Sequence, residues 1–174
     1  MQTYSGNITK WLVVIGATVL IAASFYGGAY GADDNWIKTM GNWSLGTNWS
    51  TGSPPTMLQN AVITDAGGAV TEDISATIQN LTLGSGDSLG INNAISLTID
   101  GSSISNSGNF SINSGGNGTD LIIGNASTTL SGTGTLTLSN NSQNFIFGAA
   151  GLAGCARLLP HSGGERGCRL AAVA

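Results

Sequence analysis

One short phrase returns through the middle of the chain: NLTLG at Asn80–Gly84, SLTID at Ser96–Asp100, DLIIG at Asp120–Gly124 and TLTLS at Thr135–Ser139. A strand turns successive side chains to opposite faces, so Leu81 and Leu83 share a face while Thr82 points away. The same alternation pairs Leu89 with Ile91, groups Ile95, Leu97 and Ile99, and pairs Phe110 with Ile112 and Leu136 with Leu138. Leu121, Ile122 and Ile123 are consecutive, which suits a strand buried on both sides or one beside a bend. The text between the phrases is almost wholly Gly, Ser, Asn and Thr, residues that favour turns.

The phrases begin about 15 to 25 residues apart, in the range of solenoid coils. Constant strand character with irregular turn length predicts an all-β fold, a right-handed parallel β-helix, or β-solenoid, of irregular turns. The alternative is an antiparallel β-sandwich, which also uses short alternating strands. Hairpin signals are sparse, with Asp100-Gly101 and Asn117-Gly118 as the two, so the β-helix is the preferred reading.

Composition narrows the function. Charged residues make up 8% of the chain and apolar residues 41%, so this is not a charge-driven disordered sequence. Between Ala32 and Gly154 the single basic residue is Lys38. Nucleic acid binding needs clustered Lys and Arg to neutralise phosphates, and none are clustered there. A polybasic membrane-surface patch is excluded on the same ground.

The N-terminus carries Lys10, an apolar run from Trp11 to Phe25, and the small-residue stretch GGAYGA at Gly27–Ala32. That order describes a secretory signal peptide over 1–31, with Ala29 and Gly31 at the small positions and cleavage before Ala32. An uncleaved anchor is the alternative, although the run of about 15 residues is short for a span of about 20. The membrane would be met only through this segment. Residues 32–60 form a Trp-rich cap segment, with the first strand expected at Asn60–Thr64. Residues 61–150 are the solenoid repeat region.

Trp36, Trp43 and Trp49 all lie in the cap segment, where Asn-Trp-Ser occurs at Asn42–Ser44 and again at Asn48–Ser50. Exposed indole rings could stack on sugar rings and make a carbohydrate contact. Buried rings would instead cover the open first rung of a strand stack, whose edge must be protected from other chains. The cap is the preferred reading. The Trp36 and Asn-Trp-Ser phrases, followed by Gly52, Pro54 and the strand Asn60–Ile63, resemble the opening of exported bacterial β-helical surface proteins, among them autotransporter passenger regions. Leu130–Asn141, LSGTGTLTLSNN, is similar to the Gly-Thr-Gly-Thr-Leu-Thr motif of autotransporter-associated β-strand repeats. The resemblance implies a cell-surface location and an N-terminal fragment of a passenger.

Chemistry-bearing motifs are few. Gly115–Ile123, GGNGTDLII, fits a calcium-binding nonapeptide, making Gly115, Gly116, Gly118 and Asp120 a weak calcium candidate. The neighbouring residues GNASTTLSG do not repeat it, so a glycine turn before a strand is preferred. Glycoside hydrolysis needs two carboxylates facing each other across a bond. Asp100 ends its phrase and Asp120 begins its own, which offsets the two along their strands, and for the acidic set Asp65, Glu72, Asp73, Asp87, Asp100 and Asp120 turn-forming Asp is the preferred reading. No catalytic residues, no cofactor and no metal are therefore expected.

From Gly151 the text changes to GLAGCARLLPHSGGERGCRLAAVA, with Cys155, Cys168 and His161. This atypical tail, 151–174, is either a terminal element in which the two Cys pair or the product of a shifted or truncated reading frame, and the abrupt change favours the second. The expected function is an exported, non-enzymatic cell-surface structural or adhesin-like module. Its partner would be extracellular carbohydrate or a host or neighbouring cell surface. The rival readings are a fragment of a carbohydrate-active β-helix enzyme and a small carbohydrate-binding β-domain built on the Trp cluster.

Overall fold

Alternation this short buries one side chain in two, and a three- or four-residue strand can bury enough only when stacked on copies of itself. The computed structural model describes residues 31–65 and 67–148 and shows that arrangement. The signal segment and the tail after Gly151 lie outside the described residues, apart from Gly31. Among the described residues fourteen strands follow one another: β1 (Ala32–Asn35), β2 (Met40–Asn42), β3 (Gln59–Ile63), β4 (Ala69–Glu72), β5 (Ala76–Ile78), β6 (Leu81–Leu83), β7 (Ser88–Ile91), β8 (Ser96–Ile99), β9 (Ser103–Asn106), β10 (Asn109–Ile112), β11 (Thr119–Ile123), β12 (Thr129–Ser131), β13 (Thr135–Leu138) and β14 (Asn144–Gly148).

They form three sheets. The first is ordered β1-β3-β6-β9-β12, the second β2-β4-β7-β10-β13 and the third β5-β8-β11-β14. The chain therefore visits one sheet after another and returns one rung further on, completing about five coils. Every pairing between these strands is parallel, and the one antiparallel contact among the described residues is the isolated bridge Trp36–Trp49. The fold is a parallel β-solenoid, and the antiparallel sandwich is excluded.

Register gives the true repeat. In the first sheet Ala61 lies opposite Leu81, Leu81 opposite Ile104, and Ile104 opposite Leu130. The coils thus lengthen along the stack from 20 to 23 to 26 residues between these partners. NLTLG and SLTID sit on different sheets, whereas SLTID and DLIIG are true neighbours, with Leu97 opposite Leu121. The first strand is not at Asn60–Thr64: β1 and β2 precede it. Their sequences, ADDN and MGN, carry no apolar alternation, and they are strands because β3 and β4 pair with them.

In-register stacking arranges the core in columns. Val70, Leu89 and Phe110 stack in one, Leu97, Leu121 and Ile146 in another, and Ile78, Ile99 and Ile123 in a third, all buried. Burying each such side chain contributes about 1.5–3 kcal/mol. Corners are held by side-chain amides. At the corner between the third and first sheets, Asn80 donates to Asn60 Oδ1 at 2.8 Å, and its own Oδ1 accepts the Ser103 N–H at 2.9 Å. Asn106 is buried beside Leu83 in its column. It is tolerated because its amide donates to the Thr135 carbonyl and accepts from Gly108 N–H. A Cβ on Gly108 would overlap the carbonyl oxygens of Gly84 and Asp87, so that corner requires glycine.

Phe110 is fully buried in the second sheet, between Leu89 and Leu136. Phe110→Ala should lower unfolding stability by about 3–5 kcal/mol in urea titrations. The outward-facing Thr82→Ala should change it by less than about 0.5 kcal/mol.

Candidate functional site

Two regions of the solenoid carry polar chemistry in a defined geometry: the first coil and the outer face of the second sheet. The first coil has no strand on its third side. There, residues 43–58 turn back through a short 3-10 turn at Gly46–Asn48. This segment, together with the Trp36 turn before β2, carries its tryptophans inward. Trp36, Trp43 and Trp49 are 1%, 0% and 1% exposed and belong to the same buried cluster as Ile63 and Val70. Trp49 meets Trp36 edge-on, with ring centres 5.2 Å apart, and Trp43 at 4.7 Å. Its Nε1 donates to the Trp43 carbonyl at 2.9 Å. Each edge-to-face pair adds about 0.5–1.5 kcal/mol beyond the area it buries.

These rings plug the end of the core, and no indole face is open to a sugar. The expectation of carbohydrate contact through Trp36, Trp43 and Trp49 is thereby corrected. The bulk that would stack on a pyranose is used instead to close the first rung of the described residues. Around the plug, Asp34 is buried and accepts hydrogen bonds from Thr51 N–H, Thr51 Oγ1 and Ser50 Oγ.

The glycine turn Gly115–Gly118 is organised by amides. Asn93 Oδ1 accepts the N–H groups of Gly115 at 2.7 Å and Asn117 at 3.0 Å, and Ser114 Oγ donates to the Asn117 carbonyl. Asp120 lies one rung from Ser96, whose hydroxyl donates to its Oδ2 at 3.1 Å. Among the described residues no group of three or more His, Cys, Asp or Glu could hold a metal ion.

The other acids occupy separate places. Asp87 is buried and accepts the N–H groups of Gly67 and Gly68 at 2.8 and 2.7 Å. Ile99 pairs with Ile123 and Ser96 with Asp120, so Asp100 and Asp120 are offset along their neighbouring strands, as the phrases imply. Glu72 and Asp73 are consecutive but differ in environment. Glu72 faces the core, where burial, reinforced by the charge of Asp73, raises its carboxyl well above the ordinary glutamate range. For Asp73, partial burial is outweighed by hydrogen bonds from Ser44 and Asn42, which hold its carboxyl below the ordinary aspartate range.

The outer face of the second sheet bears a shallow trough of about 340 Å3, lined by Thr71, Ser88, Gly90, Asn109, Ser111 and Thr137 among others. It adjoins a second hollow of about 470 Å3 at the neighbouring corner, with which it shares Ser88 and Asn109. Gly90 and Gly108 leave the depression, and hydroxyl and amide groups rim it. Its one acid is Asp87, already engaged by the backbone of Gly67 and Gly68. Sequence reading did not find this trough, because the residues that line it come from four different coils and only the register brings them together.

The fold and these two regions define a parallel β-solenoid with a tryptophan-plugged first coil and an uncharged polar trough. Compared with protein-family models, curated proteins and solved structures, the chain has no match.

Without a second carboxylate beside it, Asp120 should bind calcium too weakly to affect folding. Thermal melts of the chain should be the same in millimolar calcium and in chelator. A calcium-dependent rise that Asp120→Asn abolishes would instead establish the nonapeptide turn as a metal site.

Proposed function

We propose that this chain is an exported, non-enzymatic surface module that presents its uncharged trough to extracellular carbohydrate or to a neighbouring cell surface. The observation that carries the reading is the trough itself: hydroxyl and amide groups held at fixed rung spacing on a rigid sheet, with no charged residue among the lining of the 340 Å3 depression. Such a surface suits a neutral ligand rich in hydroxyl groups, since a charged ligand would lose its hydration without gaining an ion pair. The resemblance of the Asn-Trp-Ser opening and of Leu130–Asn141 to exported β-helical surface proteins supports the same reading, as does the signal-like order of Lys10, the apolar run and Gly27–Ala32. Autotransporter-like surface display in a bacterium is the corresponding location. The chain meets the membrane through its signal segment, and calcium has no part in binding.

Two measurements test it. Expressed in a bacterium with its first 31 residues, the chain should leave the cytoplasm, and retention there would contradict export. The purified chain should retain neutral polysaccharides on an affinity gel without releasing reducing ends. Ser111→Tyr, which fills the trough from the middle of the sheet, should reduce retention at least about tenfold, the loss expected for about 1.4 kcal/mol of contact. Release of reducing ends would favour the carbohydrate-active enzyme instead.

A further inference from the structure

Glu72, which ends β4, and Asp73, which follows it, act on one target, the tryptophan plug. Asp73 holds it from outside. Its Oδ1 accepts the Ser44 N–H at 2.9 Å and its Oδ2 accepts the Ser44 hydroxyl at 2.7 Å. Ser44 directly follows Trp43, so this clamp fixes the backbone that carries one of the plug's outer rings. Glu72 lies beneath the plug. Asn42 pairs with Thr71, and Trp43 N–H donates to the Thr71 carbonyl at 2.8 Å. The register therefore continues by one step and sets Trp43 on the rung next to Glu72. On Glu72's other side the register partner is Ile91.

Glu72 is 0% exposed, and neither of its oxygens has a hydrogen-bond partner among the described residues. The Trp43 Nε1 is also buried without one. The strands stacked on β4, Met40–Asn42 and Ser88–Ile91, carry no charged residue. Neither do the other strands of its own coil, Gln59–Ile63 and Ala76–Ile78. Asp73 is the charged group that acts on Glu72.

We propose that Glu72 and Asp73 form a two-carboxyl latch on the tryptophan plug, closed while Asp73 is ionised and Glu72 keeps its proton, and released when either condition fails. A neutral carboxyl beneath Trp43 is costly but tolerable, whereas an ionised one without a partner is far more so. Opening the first coil to water relieves that cost by hydrating Glu72, at the expense of the Trp contacts. Loss of the Asp73 charge releases the plug by the other route, because the charge-assisted bonds to Ser44 weaken.

The pH dependence has two limbs. Asp73 is held below its ordinary range, so its contribution is complete above that range and is lost as pH falls through the lowered value. Glu72 is raised, so the folded coil binds its proton more tightly than the open one. Its closed state is favoured most at low pH and loses ground as pH rises above about 4.5, the ordinary glutamate value. The plug is therefore tightest in mild acid and loosens on both sides.

Acrylamide quenching of tryptophan fluorescence in the full chain, with Trp11→Phe to remove the ring outside the plug, tests this between about pH 2 and about pH 9. Quenching should be least in mild acid and rise several-fold on each side. Glu72→Gln should abolish the alkaline rise and keep the acid one, while Asp73→Asn should abolish the acid rise and leave quenching higher in mild acid. If Glu72→Gln fails to fold, Glu72→Leu should likewise remain shielded at alkaline pH. A flat profile in the parent chain, or an alkaline rise that persists in Glu72→Gln or Glu72→Leu, would overturn the latch.

Discussion

Parallel, in-register hydrogen bonding between successive coils is the constraint from which the rest of the structure follows. A strand of three or four residues cannot satisfy its own backbone, so each rung is completed by the rungs on either side. Parallel pairing with a fixed register then places equivalent positions directly over one another. Side chains that face inward stack in columns, and each column must be filled by residues that tolerate burial. Leu97, Leu121 and Ile146 meet that demand with apolar bulk, and Asn106 meets it by engaging Thr135 and Gly108. The outward side chains are free of that demand, and most of them here are Ser, Thr, Asn and Gly, with Val62, Asp120 and Ile122 among the exceptions.

A stack has ends, and its first end is closed by a device of its own. The chain turns back through residues 43–58 and packs Trp43 and Trp49 with Trp36 as three interlocked indole rings in the core. Asp34 and Asp73 fasten this segment by accepting hydrogen bonds from Ser50, Thr51 and Ser44. Glu72 departs from the pattern, since it occupies a column position without a partner. A side chain that opposes the packing around it while its neighbour fastens the same packing makes the plug, rather than the middle of the stack, the responsive part of the fold.

Much of this was legible in the sequence. The alternation of Leu81 and Leu83, of Leu89 and Ile91 and of Phe110 and Ile112 assigns the inward faces correctly, because a period of two depends only on local backbone geometry. In β11 the run Leu121–Ile123 hides the same alternation: Leu121 and Ile123 are buried, and Ile122 is only partly so. Strands β1 and β2 could not be read, because ADDN and MGN are made extended by their neighbours and not by their own pattern. The trough could not be read either. Thr71, Ser88 and Ser111 become one surface through pairing register, which coil length determines and which varies from one coil to the next. The Trp residues left both a plug and a platform open until their burial was known, since an indole ring serves either.

The register of the parallel stack can be read with a pair of spin labels. In a chain with Cys155→Ser and Cys168→Ser, labels introduced through Thr82→Cys and Ser105→Cys would lie on outward positions of adjacent rungs, directly opposite one another. Adjacent strands are about 4.8 Å apart, so the two labels should show strong dipolar and exchange broadening. The pair at Thr82 and Thr98, which lie on different sheets, should show much less. Stronger broadening for Thr82 and Thr98 than for Thr82 and Ser105 would place NLTLG beside SLTID and contradict the solenoid.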